Sequence, residues 1–347
     1  MPEPAFTPTG QGVRRPAIEI ACDESGFTGG NLTFPQAVFA HASLRISREA
    51  AAEEMERLRR RVSAHGELKA SWLLRWCEHG DLVRLLGPDG VVDRAVVHLS
   101  DTRLFLLARL CDALLGVTAV SGLDLPGKDA TVRATALHLH RHGEVVFGPL
   151  RWQRFLVAAG HVLRTNSRWI PATAVADFEQ AVAELASAPG PGPQTVRDEL
   201  RRLQASADRA GAVRRWLEAD SRRPPLLEPL LPALTHAVLW WGADHPTLVV
   251  VHDEQSALTR WRLAEIGARL ADHHPGHTFH LDRVDSRKDP RVQIADLVAG
   301  IARRAARGWL TGQGDDELLE LVRPLIDPRS IWADDAWLAN LPSVRLA

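Results

Sequence analysis

Apolar and polar positions recur along this chain in patterns that separate strands from helices. Ala17 to Cys22 (AIEIAC) is a β-prone apolar run ended by Asp23-Glu24-Ser25-Gly26, which predicts a strand followed by a loop, with an acidic pair at the strand end. Gln36 to Ile46 predicts a second strand, after which Ser47 caps a charged helix, REAAAEEMERLRRRV. Arg94 to Leu99 reads as another strand, and Asp101 to Leu115 carries apolar residues at helical spacing. From Lys128 to Trp241 the spacing is almost wholly helical, broken by a Pro- and Gly-rich linker at 188–193. Thr247 to Val251 is a β-branched run expected to form a buried central strand, and it too ends in carboxylates, Asp253 and Glu254. Glu254 to Leu270 reads as a helix and Thr278 to Val284 as an edge strand. Pro290 to Arg307 reads as a helix opened by proline at a favoured first-turn position.

Strands alternating with helices imply an α/β fold in layers, whose active site is expected beyond the strand ends. The expected organisation is a flexible N-terminus (1–16), a first part of the core (17–127), a large helical insertion (128–244), a second part of the core (245–310) and a C-terminal helical extension (311–347). At 347 residues and 45% hydrophobic content the chain can bury a sizeable core. It has no apolar run of 18 residues, and Met1 to Pro16 lacks the apolar stretch of a signal peptide, so no membrane association and a cytoplasmic location are expected. Cys22, Cys77 and Cys111 are odd in number and lack C-x-x-C spacing, which argues against disulfides and against a cysteine-based zinc site.

A net charge of -1 means that affinity for nucleic acid must come from a local basic patch. Candidate chemistry lies in the carboxylates. Hard divalent cations take oxygen ligands, and four separate elements offer them: Asp23 or Glu24, Glu67, Asp253 or Glu254, and Asp296. Consecutive strand residues face opposite ways, so one member of each pair is expected at a metal, with Asp23 and Asp253 favoured. Only three of the 42 basic residues are lysines, Lys69, Lys128 and Lys288, and two of them stand beside these carboxylates.

The segments Asp23-Glu24-Ser25-Gly26, Glu67-Leu68-Lys69-Ala70-Ser71, Asp253-Glu254, Asp285-Ser286 and Gln293-Ile294-Ala295-Asp296-Leu297-Val298-Ala299-Gly300, in this order and spacing, resemble the domain of unknown function family 3800. The resemblance implies a ribonuclease-H-like mixed sheet flanked by helices, and a metal-dependent nuclease using Mg²⁺ or Mn²⁺. It places Asp23 as the carboxylate of the first strand, Asp253 at the end of a later central strand and Asp296 on the closing helix. Glu67, in the family's E-x-K element, would supply the fourth ligand. One departure is Phe27-Thr28-Gly29, where the family often has Asp-Thr-Gly.

At 100° per residue Asp296, Gly300, Arg303 and Arg307 share one helix face, so the arginines would meet phosphate beside the metal. Gln293, one turn earlier, would contact a base, a ribose or a bound water, and Gly300 would admit substrate or a neighbouring backbone, against the plainer reading that Gly300 serves helix packing and the arginines are a solvated helix end. Lys69 and Lys288 are compact charges suited to a phosphate oxygen or the attacking water, against the plainer reading of pairing with Glu67 and Asp285. Ser25, outside any G-x-S-x-G elbow, is a support residue near the substrate. His252 is expected to point away from the metal face. His138 and His142 lack a partner at zinc-site spacing. Most tryptophans read as core, with Trp72 and Trp76 open to base stacking.

The function expected is metal-dependent hydrolysis of phosphodiester bonds in nucleic acid. The alternatives are hydrolysis of a nucleotide or small phosphoester, and a non-catalytic module that binds protein partners through its helical insertion.

Overall fold

The computed structural model describes residues 17–26, 32–33, 37–62, 67–92, 94–116, 120–165, 170–188 and 193–333. The N-terminal stretch 1–16, the departure at Phe27-Thr28-Gly29, the linker centre at 189–192 and the tail at 334–347 lie outside the described residues.

The chain builds an α/β fold on one mixed, open, five-stranded sheet. Its first half contains β1 (Ile18–Ser25), β2 (Val38–Arg45), α1 (Arg48–Val62), α2 (Ala70–Trp76), α3 (His79–Leu86), β3 (Arg94–Asp101) and α4 (Thr102–Leu115). Then come α5 (Ala130–Phe147), α6 (Pro149–Leu163), α7 (Ala174–Ser187), α8 (Gln194–Ala205), α9 (Arg209–Glu218) and α10 (Leu230–Gly242). The last part has β4 (Thr247–Asp253), α11 (Arg260–His273), β5 (Thr278–Val284), α12 (Pro290–Leu310) and α13 (Asp316–Val322). The strand order is β3-β2-β1-β4-β5; β1 pairs antiparallel with β2, β2 with β3, and β1 and β4 run parallel, as do β4 and β5.

Side-chain alternation gives the inner strands two apolar faces. Ile18, Ile20 and Cys22 of β1 and Leu248 and Val250 of β4 pack with Leu231, Leu234, Val238 and Trp241 of α10. The opposite face presents Ala21, Ala40 and Ala42 to Ala295, Ala299 and Ala302 of α12. Small residues on both partners let the helix lie close over β1 and β2, which carries its polar side chains to the sheet's edge of charge.

Helices α4 to α9 form a cluster of their own around Phe105, Trp152, Phe155 and Phe178. This grouping cuts across the expected 128–244 insertion: α4 joins the helical cluster, and α10 leaves it for the sheet. The cause is α10's sequence, LLPALTHAVLWW, whose apolar residues run nearly all round and demand burial on more than one side. Helix α11 starts at Arg260 rather than Glu254, because Thr259 caps it there by accepting from the Arg262 amide. Among the described residues of the C-terminal extension, helix reaches as far as Leu325. Beyond it Ile326 and Ile331 bridge to Val97 and Ser100, covering amide and carbonyl groups that β3 would otherwise expose as an edge strand.

Candidate active site

Two strands and one helix bring the acidic residues together. Parallel pairing of β1 with β4 sets Cys22 opposite His252, so Asp23 and Asp253, the next residue on each strand, lie side by side on the α12 face with Ala21 and Val251. Pro290 and the Asp289 side chain, which accepts from the Arg291 amide, start α12 and fix its first turn. Asp296, near the second turn, accepts from Lys69 Nζ at 3.2 Å, and the same ammonium donates to Glu67 Oε1 at 2.5 Å. Asp253 Oδ1 accepts from the Ser286 amide at 3.0 Å, and Asp23 Oδ1 from the Glu24 amide at 2.8 Å.

Asp23 is only 6% exposed. Burial, then the nearby Glu24, Asp296 and Asp253 carboxylates, push its pKa up to about 9. Glu24 is pushed to about 7 by burial and by Asp253 and Glu228. Burial also raises Asp296, although Lys69 opposes it. Burial works against the Lys69 ammonium, yet Glu67 and Asp296 more than offset it and hold its pKa above the usual lysine value. Such crowding of like charge favours protonation unless a cation joins the group, and every donor is a hard carboxylate oxygen. That donor set fits Mg²⁺ or Mn²⁺. Glu24 Oε2 is buried without a hydrogen-bond partner.

A cavity of about 690 Å³ opens beside Asp296; Asp23, Asp253 and Glu67 do not line it. Ser25, Lys69, Asp296, Arg75, Arg303, Arg304 and Arg307 supply its polar lining together with Ser71. Asp296, Gly300, Arg303 and Arg307 thus share this wall. Gly300 has a packing task there, since a Cβ on it would come within 2.5 Å of Ala70 Cβ and push α2 away. Gly26, at φ +92°, makes the turn after β1 and leaves room for the stem of Arg303, which a Cβ would strike.

Other expected residues lie elsewhere. Gln293 does not line the cavity; its Oε1 accepts from Arg59 at 2.6 Å and its Nε2 donates to Ser286 O at 2.8 Å, so both amide ends tie α12 to its neighbours. Lys288 is largely exposed and pairs with Asp285 at 3.4 Å. Glu254 is exposed one residue past β4. Trp72 and Trp76 are solvent-facing, 43% and 59% exposed, and line no part of the cavity. Glu24 turns to the other face, where its Oε2 lies 3.9 Å from Nε2 of His252. His252 is fully buried there and stacks on His41 with ring centroids 5.6 Å apart.

One group of potential ligands had no signal in the sequence. His98 on β3, His236 on α10 and Asp327 after α13 are all buried, with ligand atoms within 4.8 Å of one another. Asp327 Oδ2 lies 2.7 Å from His236 Nδ1 and 3.4 Å from His98 Nδ1, while Arg329 Nη1 lies 3.1 Å from His236 Nε2. Arginine can only donate, so His236 Nε2 accepts and its proton sits on Nδ1, directed at Asp327. A ligating imidazole instead donates from its far nitrogen. The arrangement is that of a hydrogen-bonded clasp holding the C-terminal segment to the sheet.

In comparisons with known proteins, the chain matches no family model, no curated protein and no solved structure.

Proposed function

We propose that the chain is a divalent-metal-dependent hydrolase of phosphodiester bonds in nucleic acid, with Asp23, Asp253, Asp296 and Glu67 holding Mg²⁺ or Mn²⁺. The observation that carries this reading is Asp296, which is repelled by the buried Asp23 on one side and lines a cavity with four arginines on the other. When bound, the metal would polarise the phosphoryl group and activate water. Arg303, Arg304, Arg307 and Arg75 would take phosphate oxygens and set the strand's position, since guanidinium forks match phosphate geometry. Lys69 holds Asp296 and Glu67 in place and keeps a proton available at Nζ beside the reacting phosphate. Ser25 supports the same wall. The ribonuclease-H-like reading, with its resemblance to family 3800, is supported by Asp23 on the first strand, Asp253 at the end of β4 and Asp296 on α12, the three stations it implies.

A cavity of this size also suits a single nucleotide, which favours hydrolysis of a nucleotide or small phosphoester as the second reading. Labelled single- and double-stranded DNA, RNA, hybrid and free nucleotides, each with Mg²⁺ or Mn²⁺ against EDTA, separate the two when wild type is compared with Asp23→Ala. Metal-dependent cleavage of a polymer that the variant lacks establishes the nuclease. Turnover of nucleotides alone selects the second reading, and a folded protein without turnover of any substrate rejects both.

A further inference from the structure

A second cavity, of about 640 Å³, lies between the loop after α9 and the outer face of α11, and no residue lining it lines the carboxylate cavity. We propose that it binds a nucleoside phosphate whose base carries an amino group. Trp216 and Trp261 both line it, and each indole has a guanidinium over its ring, Arg223 at 4.4 Å from Trp216 and Arg260 at 4.6 Å from Trp261. Trp216 is partly buried and backs the Arg223 plane. Trp261 is 51% exposed and offers an indole face for a flat ring to stack on. Next to it on the helix, Ala264 and Ala268 form a low floor where larger side chains would obstruct a base.

The charges supply the rest of the recognition. Arg223 Nε is buried without a hydrogen-bond partner, and among the described residues no carboxylate forms an ion pair with it. The acid of its own loop, Asp220, is taken by Arg222 at 3.1 Å. A guanidinium that lines the cavity without a carboxylate partner among the described residues suits a phosphate. Glu265, exposed and on the same wall, is an acceptor suited to an exocyclic amine. Stacking surface, anion donor and amine acceptor around one cavity are the three elements of a nucleotide.

The test is calorimetric titration of the full-length protein in EDTA with AMP, CMP, adenosine and inorganic phosphate. AMP or CMP should bind saturably and more tightly than adenosine. Trp261→Ala and Arg223→Gln should each weaken binding by about tenfold or more, while Asp296→Asn leaves it unchanged. Because Trp261 is exposed, its variant tests the site even if Arg223→Gln does not fold. Absence of saturable binding by either nucleotide overturns the proposal. So does phosphate binding as tightly as AMP, which would make this a bare anion site, or binding that survives Trp261→Ala but not Asp296→Asn, which would place the ligand in the carboxylate cavity.

Discussion

Lys69 Nζ lies 3.2 Å from Asp296 Oδ2, so a residue two positions after Glu67 places its cation against the carboxylate of a helix more than two hundred residues later. The ammonium stands where positive charge is most needed in a crowd of carboxylates. Lys69→Gln should therefore lower turnover about 10²-fold at saturating metal, the scale of removing one preorganised charged donor. Lys288→Gln, at an exposed pair with Asp285, should leave it nearly unchanged. Steady-state rates for the two variants check this; equal losses would mean that neither position is special.

Gly300 offers a sign reversal. Replacing an interior helical glycine by alanine ordinarily stabilises by about 1 kcal/mol. Here the new methyl would stand within 2.5 Å of Ala70 Cβ, where α2 meets α12. Gly300→Ala should instead destabilise by about 1–3 kcal/mol and impair catalysis, because α2 follows directly on Lys69. Urea denaturation showing a gain in stability would mean that α2 moves aside freely and is not what positions Lys69.

The approach of Asp23 to Asp253 was legible because two apolar runs each end in an acid, and strand alternation selects one residue of each pair. The shared wall of Asp296, Gly300, Arg303 and Arg307 followed from helical spacing alone. Gln293 belongs to the same helix, but three residues before Asp296 is about 60° away in azimuth, enough to aim it at Arg59 and Ser286. Periodicity gives a face, not its neighbours. The clasp of His98, His236 and Asp327 was illegible for another reason: its members come from a strand, a helix and a tail with no fixed spacing. The position of α10 on the sheet was hidden too, since a helix apolar all round does not say which layer it joins.

Stability should depend on pH through Glu228. Burial pushes this carboxyl from its ordinary 4.5 up to about 7, with the Leu230 amide and Arg262 only partly opposing. Between those values the folded state holds a proton that the unfolded state has released, so Glu228's contribution falls as pH rises through the window and levels off above it, while Asp23, pushed up to about 9, carries the decline further. The full effect of Glu228 is bounded at about 3 kcal/mol. Glu228→Gln should flatten the profile between pH 4.5 and 7 and be more stable than wild type at pH 8, measured by denaturant midpoints. Glu24 is also raised to about 7, in part by Glu228, and should contribute to the same change. Parallel profiles for the two proteins would remove Glu228 as the cause.

Asp327 carries the opposite sign. Burial alone would raise its pKa, but hydrogen bonds from His236 and His98 outweigh that and hold it well below the usual carboxylate range. Its stabilisation is therefore present at neutral pH and lost only as strong acid protonates it. Asp327→Asn leaves His236 fixed by Arg329 while removing the charged acceptor to which both imidazoles turn, and losing hydrogen bonds to a buried charged group costs about 1.5–3 kcal/mol. The loss should appear in urea denaturation at pH 7, shrink below about pH 4 as the unfolded chain's Asp327 carboxyl takes up a proton, and be unaffected by EDTA. A wild-type protein destabilised by the chelator, with the effect absent from Asp327→Asn, would instead make the three residues a metal site.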